Sequence, residues 1–258
     1  MFRADDYVKV SDLAEAYELC QKRSSLVVGG MVWMKMTHIT KRTIVDLSGL
    51  GLDAIEEKEG EFSIGCMCSL RQLETHEGLN RYFGGIFREC TKGIVGVQFR
   101  NGATVGGSVF GRYGFSDILT CMMMLDVQVE LYQRGRISLE EFAKLPYDRD
   151  ILVQVILKKD GRRAVYASSR RSKTDFPIIA CGVAKKGDSW YVSVGARPAR
   201  AALCVLPAGN EAVKDLAEKA AEAFSYGDNM RAGGEYRKHL AQVSIRRLMD
   251  QISREEEK

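Results

Sequence analysis

Apolar residues follow first a helical and then a strand-like spacing near the start of the chain. Ser11 precedes apolar positions spaced three to four residues apart, which predicts a capped helix, and the run 24–28 predicts a short buried strand. That strand ends at a pair of glycines, and a second β-rich run covers 43–47. The pattern therefore predicts a helix–strand–strand unit over residues 1–50.

The middle of the chain alternates between turn-rich stretches and short amphipathic segments. Residues 53–64 predict a hairpin, and Ser69 and Asn80 are each placed to cap a short helix. Glycines then crowd residues 93–107, the most glycine-dense part of the chain. The remaining elements predicted here are a helix over 116–124, a strand over 127–132 and a helical turn over 139–142.

Strand-like runs dominate the chain after Pro146. Four of them, separated by charged or glycine-containing turns, predict an antiparallel meander: 151–157, 164–168, 176–184 and 190–196. Two amphipathic helices follow, around 213–224 and 236–248. We expect an N-terminal domain over 1–147, with subdomains of about 1–50 and 51–147, and a C-terminal sheet with helices over 148–258.

The composition narrows the class of protein without identifying it. Of 258 residues, 45% are hydrophobic and 28% are charged, which is typical of a globular protein with its own core. The net charge of +4 is small and spread along the chain, so nucleic acid is not an expected partner. No apolar run predicts a membrane span, and the first residues lack the pattern of a secretion signal. We expect a cytoplasmic protein whose seven cysteines stay reduced.

The first candidate for binding chemistry is the bend from Val28 to Trp33, where an apolar strand runs into paired glycines. Such a bend can point several backbone N–H groups outward as an anion site, and glycine lets phosphate oxygens come close. A tight turn without a ligand would need the same glycines. This segment alone leaves both interpretations open.

A second glycine-rich segment, from Arg100 to Ser108, adds hydroxyl groups to such a site. Thr104 and Ser108 supply the hydroxyls, and Asp117 supplies a carboxylate that can accept from ribose hydroxyls. The spacing is neither G-x-G-x-x-G nor G-x-x-x-x-G-K-[ST], and the loop contains no lysine. Rossmann-type dinucleotide binding and kinase chemistry are therefore not supported, while a glycine-rich turn array without a ligand stays open.

Together these segments resemble the FAD-binding subunit or domain of the molybdenum hydroxylases, the group of xanthine dehydrogenase and carbon monoxide dehydrogenase. The order and the spacing of the motifs carry the resemblance, which extends over nearly the whole chain. The motifs are Val28-Gly29-Gly30, Ile44-Val45-Asp46-Leu47, Ser63-Ile64-Gly65, Gln98-Phe99-Arg100-Asn101 with Thr104-Val105-Gly106-Gly107-Ser108, Ser116-Asp117, the segment 170–175, and 235–240 with 246–248.

The resemblance implies an α+β fold of the vanillyl-alcohol-oxidase (PCMH) type, in which two α+β subdomains grip FAD and an antiparallel sheet with C-terminal helices follows. It implies that the two glycine segments hold the pyrophosphate and that Asp117 bonds a ribose or ribityl hydroxyl. Ile94 would pack against the isoalloxazine ring, and Arg171 and Asp175 would lie on the flavin side. The cofactor-binding residues implied are Val28, Gly29, Gly30, Met31, Val32, Trp33, Ile94, Thr104, Gly106, Gly107, Ser108, Asp117, Arg171 and Asp175.

The activity implied by the resemblance is electron transfer within a heteromeric complex. One partner subunit with [2Fe-2S] clusters and another with molybdopterin would deliver electrons to non-covalently bound FAD, which would pass them to NAD or another acceptor. FAD supplies the redox chemistry in such an arrangement, so we expect no catalytic residue in this chain. Two alternatives stay open: a stand-alone flavoprotein oxidase of the same fold, and a non-catalytic flavin- or nucleotide-binding module.

Two local features bear on this hypothesis. The family commonly has a threonine and a polar or acidic residue after the first glycine pair, whereas this chain has Met31 and Val32, so phosphate contacts there would rely on backbone N–H groups. Cys66-x-Cys68 suggests a metal site, but an iron–sulfur cluster needs four thiolates, and the sequence has no second closely spaced pair. We therefore expect no metal site in this chain.

Overall fold

The computed structural model describes residues 1–209 and 211–256, and three β-sheets carry the fold. The strands are β1 (Arg3–Lys9), β2 (Ser25–Val28), β3 (Thr40–Asp46), β4 (Ile55–Glu57), β5 (Glu61–Gly65), β6 (Val127–Leu131), β7 (Gly135–Ser138), β8 (Leu152–Lys158), β9 (Arg163–Ser169), β10 (Ile179–Lys186), β11 (Ser189–Gly195) and β12 (Ala202–Pro207). The helices are α1 (Leu13–Cys20), α2 (Leu70–Thr75), α3 (Glu77–Tyr82), α4 (Ile86–Thr91), α5 (Val97–Gly102), α6 (Val105–Phe110), α7 (Asp117–Met123), α8 (Leu139–Lys144), α9 (Val213–Glu222) and α10 (Gly234–Glu256), with a 3-10 turn at Met34–Met36. The α+β class expected from the sequence is confirmed.

The first sheet has three parallel strands in the order β1-β3-β2, with Tyr7 and Leu26 both in register with Ile44. The predicted helix–strand–strand unit was incomplete because it lacked β1. That strand lies at the sheet edge, is charged and largely exposed, and so carries no apolar alternation that could indicate a strand.

Two predicted helix caps were wrong, because other polar residues cap these helices. The Asp12 side chain, not that of Ser11, accepts the first helical N–H, from Glu15 at 2.8 Å. The Ser11 hydroxyl instead donates to the Glu15 carboxylate. Asn80 lies inside α3, which His76 caps, and its side-chain amide donates to two carbonyl oxygens of the preceding residues.

The second sheet is antiparallel, in the order β4-β5-β8-β6-β7, and backs the larger hydrophobic core. Val155 on β8 pairs with Ile64 on β5 and Val129 on β6, and all three side chains are fully buried. The predicted meander was therefore wrong in its first strand, since the run 151–157 joins this sheet. Apolarity marks a buried strand but does not select its partner, which depends on packing with neighbouring strands. The boundary at 147/148 stays a prediction.

The third sheet is antiparallel, in the order β12-β11-β10-β9, and α9 and α10 cover one of its faces. Val192 of the sheet and Ile245 of α10 belong to a second core in which both are fully buried. The sequence missed β12 because its residues are only half-buried or exposed and it ends at a proline. Both C-terminal helices are confirmed.

Helices α5 and α6 occupy the glycine-dense stretch, which excludes the alternative of a glycine-rich turn array. Glycine disfavours helices on average, but here close packing requires it: a methyl group on Gly106 would lie 2.5 Å from the Cys66 carbonyl oxygen. The hairpin, the helix after Ser69 and the elements predicted between 116 and 142 are confirmed. In the part of the chain described, no helix combines the length and the apolar character needed to cross a membrane.

Candidate functional site

A cavity of about 740 Å³ opens where two bends meet. The first bend comprises residues 28–33, between β2 and the 3-10 turn, and the second comprises residues 102–108, from the end of α5 into α6. Ile94, Asp117 and the segment 174–177 also line the cavity. Its volume is in the range of small-molecule and cofactor sites. All but one of the site residues expected from the sequence line this cavity.

The two bends touch because glycines stand at their contact. A methyl group on Gly30 would overlap the carbonyl oxygen of Gly102, and one on Gly29 would overlap the Thr104 hydroxyl. At Gly102 itself, a methyl group would come within 2.9 Å of a Val32 methyl carbon. Side chains at these glycines would therefore force the bends apart.

The first bend presents unpaired backbone donors. The N–H groups of residues 30–33 have no hydrogen-bond acceptor among the residues described, although Gly30 is exposed and Met31 to Trp33 are half-buried. Met31 has a left-handed φ of 56°, which turns the backbone sharply at this point. Consecutive N–H groups of this kind form a concave anion site.

Most N–H groups of the second bend already donate hydrogen bonds within the protein. The N–H groups of Val105 and Gly106 each donate at 2.8 Å to carbonyl oxygens just after β5. The Gly107 N–H donates to the Thr104 hydroxyl oxygen at 3.1 Å, and the Ser108 hydroxyl donates to the Thr104 carbonyl at 3.0 Å. The Thr104 hydroxyl donates to no residue described, so its proton is available to a ligand. This bend therefore offers a hydroxyl rather than a row of N–H groups.

Asp117 lies at the start of α7, which Ser116 caps, and its carboxylate is buried. The Tyr166 hydroxyl donates to one carboxylate oxygen at 2.6 Å, and the Arg170 guanidinium donates to the same oxygen. Burial raises the pKa of Asp117, an effect that the Arg170 charge and the Tyr166 hydrogen bond oppose. The second carboxylate oxygen has no such partner in the part of the chain described, so it could accept from a ligand.

Arg170 is the arginine that lines the cavity, whereas the family resemblance implied its neighbour, Arg171. Arg171 is exposed, does not line the cavity, and donates to the backbone carbonyl of Arg231 at 2.9 Å. Arg170 lines the cavity and packs on Gly93, where a methyl group would lie 2.9 Å from its Nε. Asp175 does line the cavity, and its carbonyl accepts from Arg170. Two consecutive arginines look alike in a sequence, and only the fold distinguishes them.

A buried ion pair that the sequence analysis missed supports the loop carrying Ile94. Arg100 donates to both carboxylate oxygens of Glu74, at 2.8 and 3.0 Å, and to the Ile94 carbonyl at 3.0 Å. Burial raises the pKa of Glu74, but hydrogen bonds from Arg100 and Arg71 outweigh it and hold the pKa below its ordinary value. The sequence did contain a signal for this ion pair, because Arg100 stands next to Asn101 in the motif that carries the family resemblance.

Aromatic rings form one end wall of the cavity. The Trp33 ring lies 5.1 Å from both the Phe99 and the Phe176 ring, and Phe115 lies 4.5 Å from Phe176 in an edge-to-face arrangement. Phe176 adjoins the candidate residue Asp175, and Phe115 adjoins the Ser116-Asp117 motif, but neither aromatic residue was itself a candidate. This wall provides apolar contact for a flat ligand.

The Cys66-x-Cys68 pair is part of the core. Both thiols are buried, and burial raises the pKa of Cys66 to about 12 and that of Cys68 to about 11. In residues 1–209 and 211–256, no group of three or more histidine, cysteine or acidic side chains is arranged to hold a metal ion. The pair therefore packs as two neutral thiols.

The arrangement fits an anion and a flat ring. Residues whose N–H groups have no acceptor among the residues described line one part of the cavity, and Ile94 with the aromatic wall lines another. Of the ionisable side chains that also line it, Asp117 and Arg170 pair with each other.

Comparison with known proteins gives a family for most of the chain. Residues 1–159 match the family described as FAD binding domain in molybdopterin dehydrogenase. Two curated Escherichia coli K12 proteins are similar. The uncharacterized protein YgfM is 24% identical over 183 residues, which are 71% of this chain and 68% of YgfM. The aldehyde oxidoreductase FAD-binding subunit PaoB is 32% identical over 116 residues, 43% of this chain and 36% of PaoB.

The fold is also that of a solved structure. Reconstituted CO dehydrogenase from Oligotropha carboxidovorans contains a chain that superposes with a TM-score of 0.81 at 22% sequence identity. The match covers 96% of this chain and 95% of that one. It therefore includes the third sheet and the C-terminal helices, which lie beyond the family match.

Proposed function

Because the chain belongs to the family of FAD-binding domains in molybdopterin dehydrogenases, we propose that it carries electrons through FAD as one subunit of a molybdenum hydroxylase complex. The observation that supports this most directly is the contact of the two glycine bends at one cavity, with free N–H groups on the first bend. FAD binding and the oxidoreductase class are properties of the family. The path of the electrons is our proposal.

The residues around the cavity fit FAD. A diphosphate needs donors on a backbone that it can approach closely, and residues 30–33 combine free N–H groups with a glycine. A flat ring needs apolar contact, which Ile94 and the aromatic wall provide. Neither bend contains a histidine that could link a flavin covalently, which supports non-covalent binding.

This proposal assigns roles to several of the residues around the cavity. The N–H groups of the first bend, Val28 to Trp33, and the Thr104 hydroxyl bind the diphosphate, while Gly106 and Gly107 allow its close approach. Asp117 accepts from a sugar or ribityl hydroxyl through its free oxygen, and Arg170 and Asp175 border the ring. Bound FAD would supply the redox chemistry, and the protein would orient it and exclude water from it.

The same proposal includes partner subunits with [2Fe-2S] clusters and molybdopterin, and NAD or another acceptor for the electrons. The similarity to PaoB, whose name describes a FAD-binding subunit, supports a multi-subunit assembly. All seven cysteines are free and none forms a metal site in the part described, so iron–sulfur clusters would come from another chain. Seven free thiols also support a cytoplasmic complex.

The experiment is reduction of the flavin in the purified chain, alone and with its partners. We expect a yellow protein whose flavin absorbance stays unchanged when the hydroxylase substrate is added to the isolated chain. The absorbance should fall when the iron–sulfur and molybdenum subunits that co-purify with the chain are present. A preparation of those subunits without this chain is the control.

Other outcomes would assign a different function. Turnover of a small alcohol by the isolated chain, with flavin reduction, would identify a stand-alone oxidase. Flavin binding without reduction by any partner would identify a non-catalytic module. A chain that takes up no FAD at all would contradict the proposal at its first step.

A further inference from the structure

A second cavity of about 390 Å³ lies beside the first. Phe115, Phe176 and Pro177 line both cavities and so form a wall between them. The rest of the second cavity is lined by the loop between β11 and β12 and by polar residues of segment 229–237. The proposed FAD site makes no use of this space.

Three arginines line the cavity, and the hydrogen-bond partners of two of them, Arg237 and Arg200, are neutral. Arg237 is 1% exposed, and its guanidinium donates to the carbonyl oxygen of Ala196 and to the side chain of Asn229. Arg200 donates to two carbonyl oxygens, including that of Leu145 at 2.7 Å. Carbonyl partners satisfy N–H groups but leave the positive charge uncompensated.

One carboxylate opposes these charges at ion-pair distance. Asp175 lies 3.6 Å from Arg231, and among the residues described no aspartate or glutamate lines the cavity. Arg231 also lies over the Phe176 ring, 4.6 Å from its centre. Burial lowers the pKa of Arg237, and the nearby charge of Arg231 lowers it further, while the charge of Asp228 opposes the shift.

The backbone beside these arginines adopts an unfavourable conformation. Ala196 has a φ of 57° and lines the cavity. Non-glycine residues avoid this region, and strain of this kind concentrates at functional sites. The Ala196 N–H donates to the Gly114 carbonyl at 2.7 Å, which holds the loop against the cavity wall.

We propose that this second cavity binds a small organic anion whose oxyanion head pairs with Arg200 and Arg231 and whose flat ring lies against Phe176 and Pro177. The volume suits a ligand the size of a phosphorylated aromatic ring. The head would add negative charge beside three arginines, of which Arg231 alone has a carboxylate, that of Asp175, at ion-pair distance among the residues described. A bound anion would sit across the aromatic wall from the first cavity without entering it. This site does not depend on which cofactor occupies the first cavity.

The test is calorimetric titration of the full chain with phenyl phosphate, in the presence and absence of saturating FAD. We expect phenyl phosphate to bind more tightly than inorganic phosphate, and benzyl alcohol not to bind, because both the head and the ring contribute. Arg231→Gln should weaken binding at least tenfold, and Arg231→Lys by less because the charge remains. Arg163→Gln, which removes an exposed arginine from β9, should leave binding unchanged.

Three results would overturn the proposal. Competition by FAD would place the anion in the first cavity. Equal affinity in the wild type and in a folded Arg231→Gln variant would remove the assigned contact. If that variant does not fold, the comparison within the wild type decides, because benzyl alcohol binding as tightly as phenyl phosphate would exclude an anion site.

Discussion

Gly30 occupies a position at which the protein has no space for a side chain. Its Cα faces the Gly102 carbonyl, and any Cβ would overlap that oxygen. The next residue, Met31, adopts a left-handed φ and lies within residues 30–33, whose N–H groups have no acceptor among the residues described. A Cβ atom at residue 30 would therefore prevent the two bends from touching.

We expect Gly30→Ala to weaken FAD binding at least tenfold, because the added methyl group separates the bends that form the anion site. Strain in the packed contact should also lower the free energy of unfolding by roughly 1–3 kcal/mol. Flavin fluorescence titration and urea unfolding measure the two effects. The matched control is Gly60→Ala, whose methyl group would meet no atom within 4 Å. Equal FAD affinity in the two variants would contradict this account.

The Glu74–Arg100 ion pair is a second feature of individual residues, and it affects the stability of the fold. Its groups are buried and paired through two hydrogen bonds, and Arg100 also fixes the Ile94 carbonyl. Burial of the Glu74 carboxylate is costly, and the arginines more than compensate, so its pKa is lowered on folding. Removing one partner leaves the other charge buried without compensation.

We expect Glu74→Gln to reduce the free energy of unfolding at pH 7 by roughly 3 kcal/mol. Because folding lowers the Glu74 pKa, its contribution is complete above the pKa of the unfolded chain and is lost as the pH falls through the lower pKa of the folded protein. Urea unfolding between pH 7 and pH 3 should therefore show a smaller acid-dependent loss in the variant. Glu59→Gln, at an exposed turn, should behave like the wild type.

At the scale of elements, α2 connects the second sheet to the candidate site. Its cap, Ser69, accepts from the Gln72 N–H, and the Gln72 side chain accepts from the Ser69 N–H. Ser69 also forms an isolated β-bridge with Thr104, the residue whose hydroxyl faces the cavity. The start of this short helix therefore lies directly beside the second bend.

We expect Ser69→Ala to lower the free energy of unfolding by about 1 kcal/mol, the usual cost of losing a helix cap. The β-bridge to Thr104 uses backbone atoms, so FAD affinity should change by less than threefold. Urea unfolding and flavin titration measure the two quantities. Ser172→Ala, at an exposed loop, serves as the control and should change neither. A loss of FAD affinity as large as that of Gly30→Ala would show that the cap itself shapes the site.

At the scale of the whole molecule, two hydrophobic cores divide the cysteines between them. Cys66, Cys68, Cys90 and Cys121 are buried in the larger core and Cys181 in the smaller one. Burial raises the pKa of Cys181 to about 12, similar to that of Cys66. The thiols of Cys66 and Cys181 are therefore buried and protonated at neutral pH.

We expect a thiol reagent such as Ellman's reagent to label at most two cysteines of the native protein at pH 8, Cys20 and Cys204. Both are only partly buried, whereas the other five are buried. In denaturant under non-reducing conditions, all seven should react. Mass spectrometry of the labelled peptides identifies the sites. Fast native labelling of Cys66 or Cys181 would mean that one of the cores opens in solution.

The sequence predicted the family and the fold class, and the assignment of cofactor-binding residues stays a prediction. The family resemblance is confirmed by the family match over residues 1–159. The structure brings Val28 to Trp33 and Thr104 to Ser108 to one cavity, as their pairing suggested. It replaces Arg171 by Arg170 at the cavity wall, because the alternation of side chains along an irregular loop cannot be determined without the loop itself.

The sequence by itself determined those properties that depend on neighbouring residues: the α+β class, the apolar periods of the helices and strands, and the glycine motifs that mark the family. Tertiary structure alone decided the properties that depend on distant contacts. These are the transfer of β8 to the second sheet, the choice between two adjacent arginines, and the contact of Gly30 with Gly102. The physical reason is that local pattern sets the conformation and burial of a segment, whereas packing between segments selects its partner.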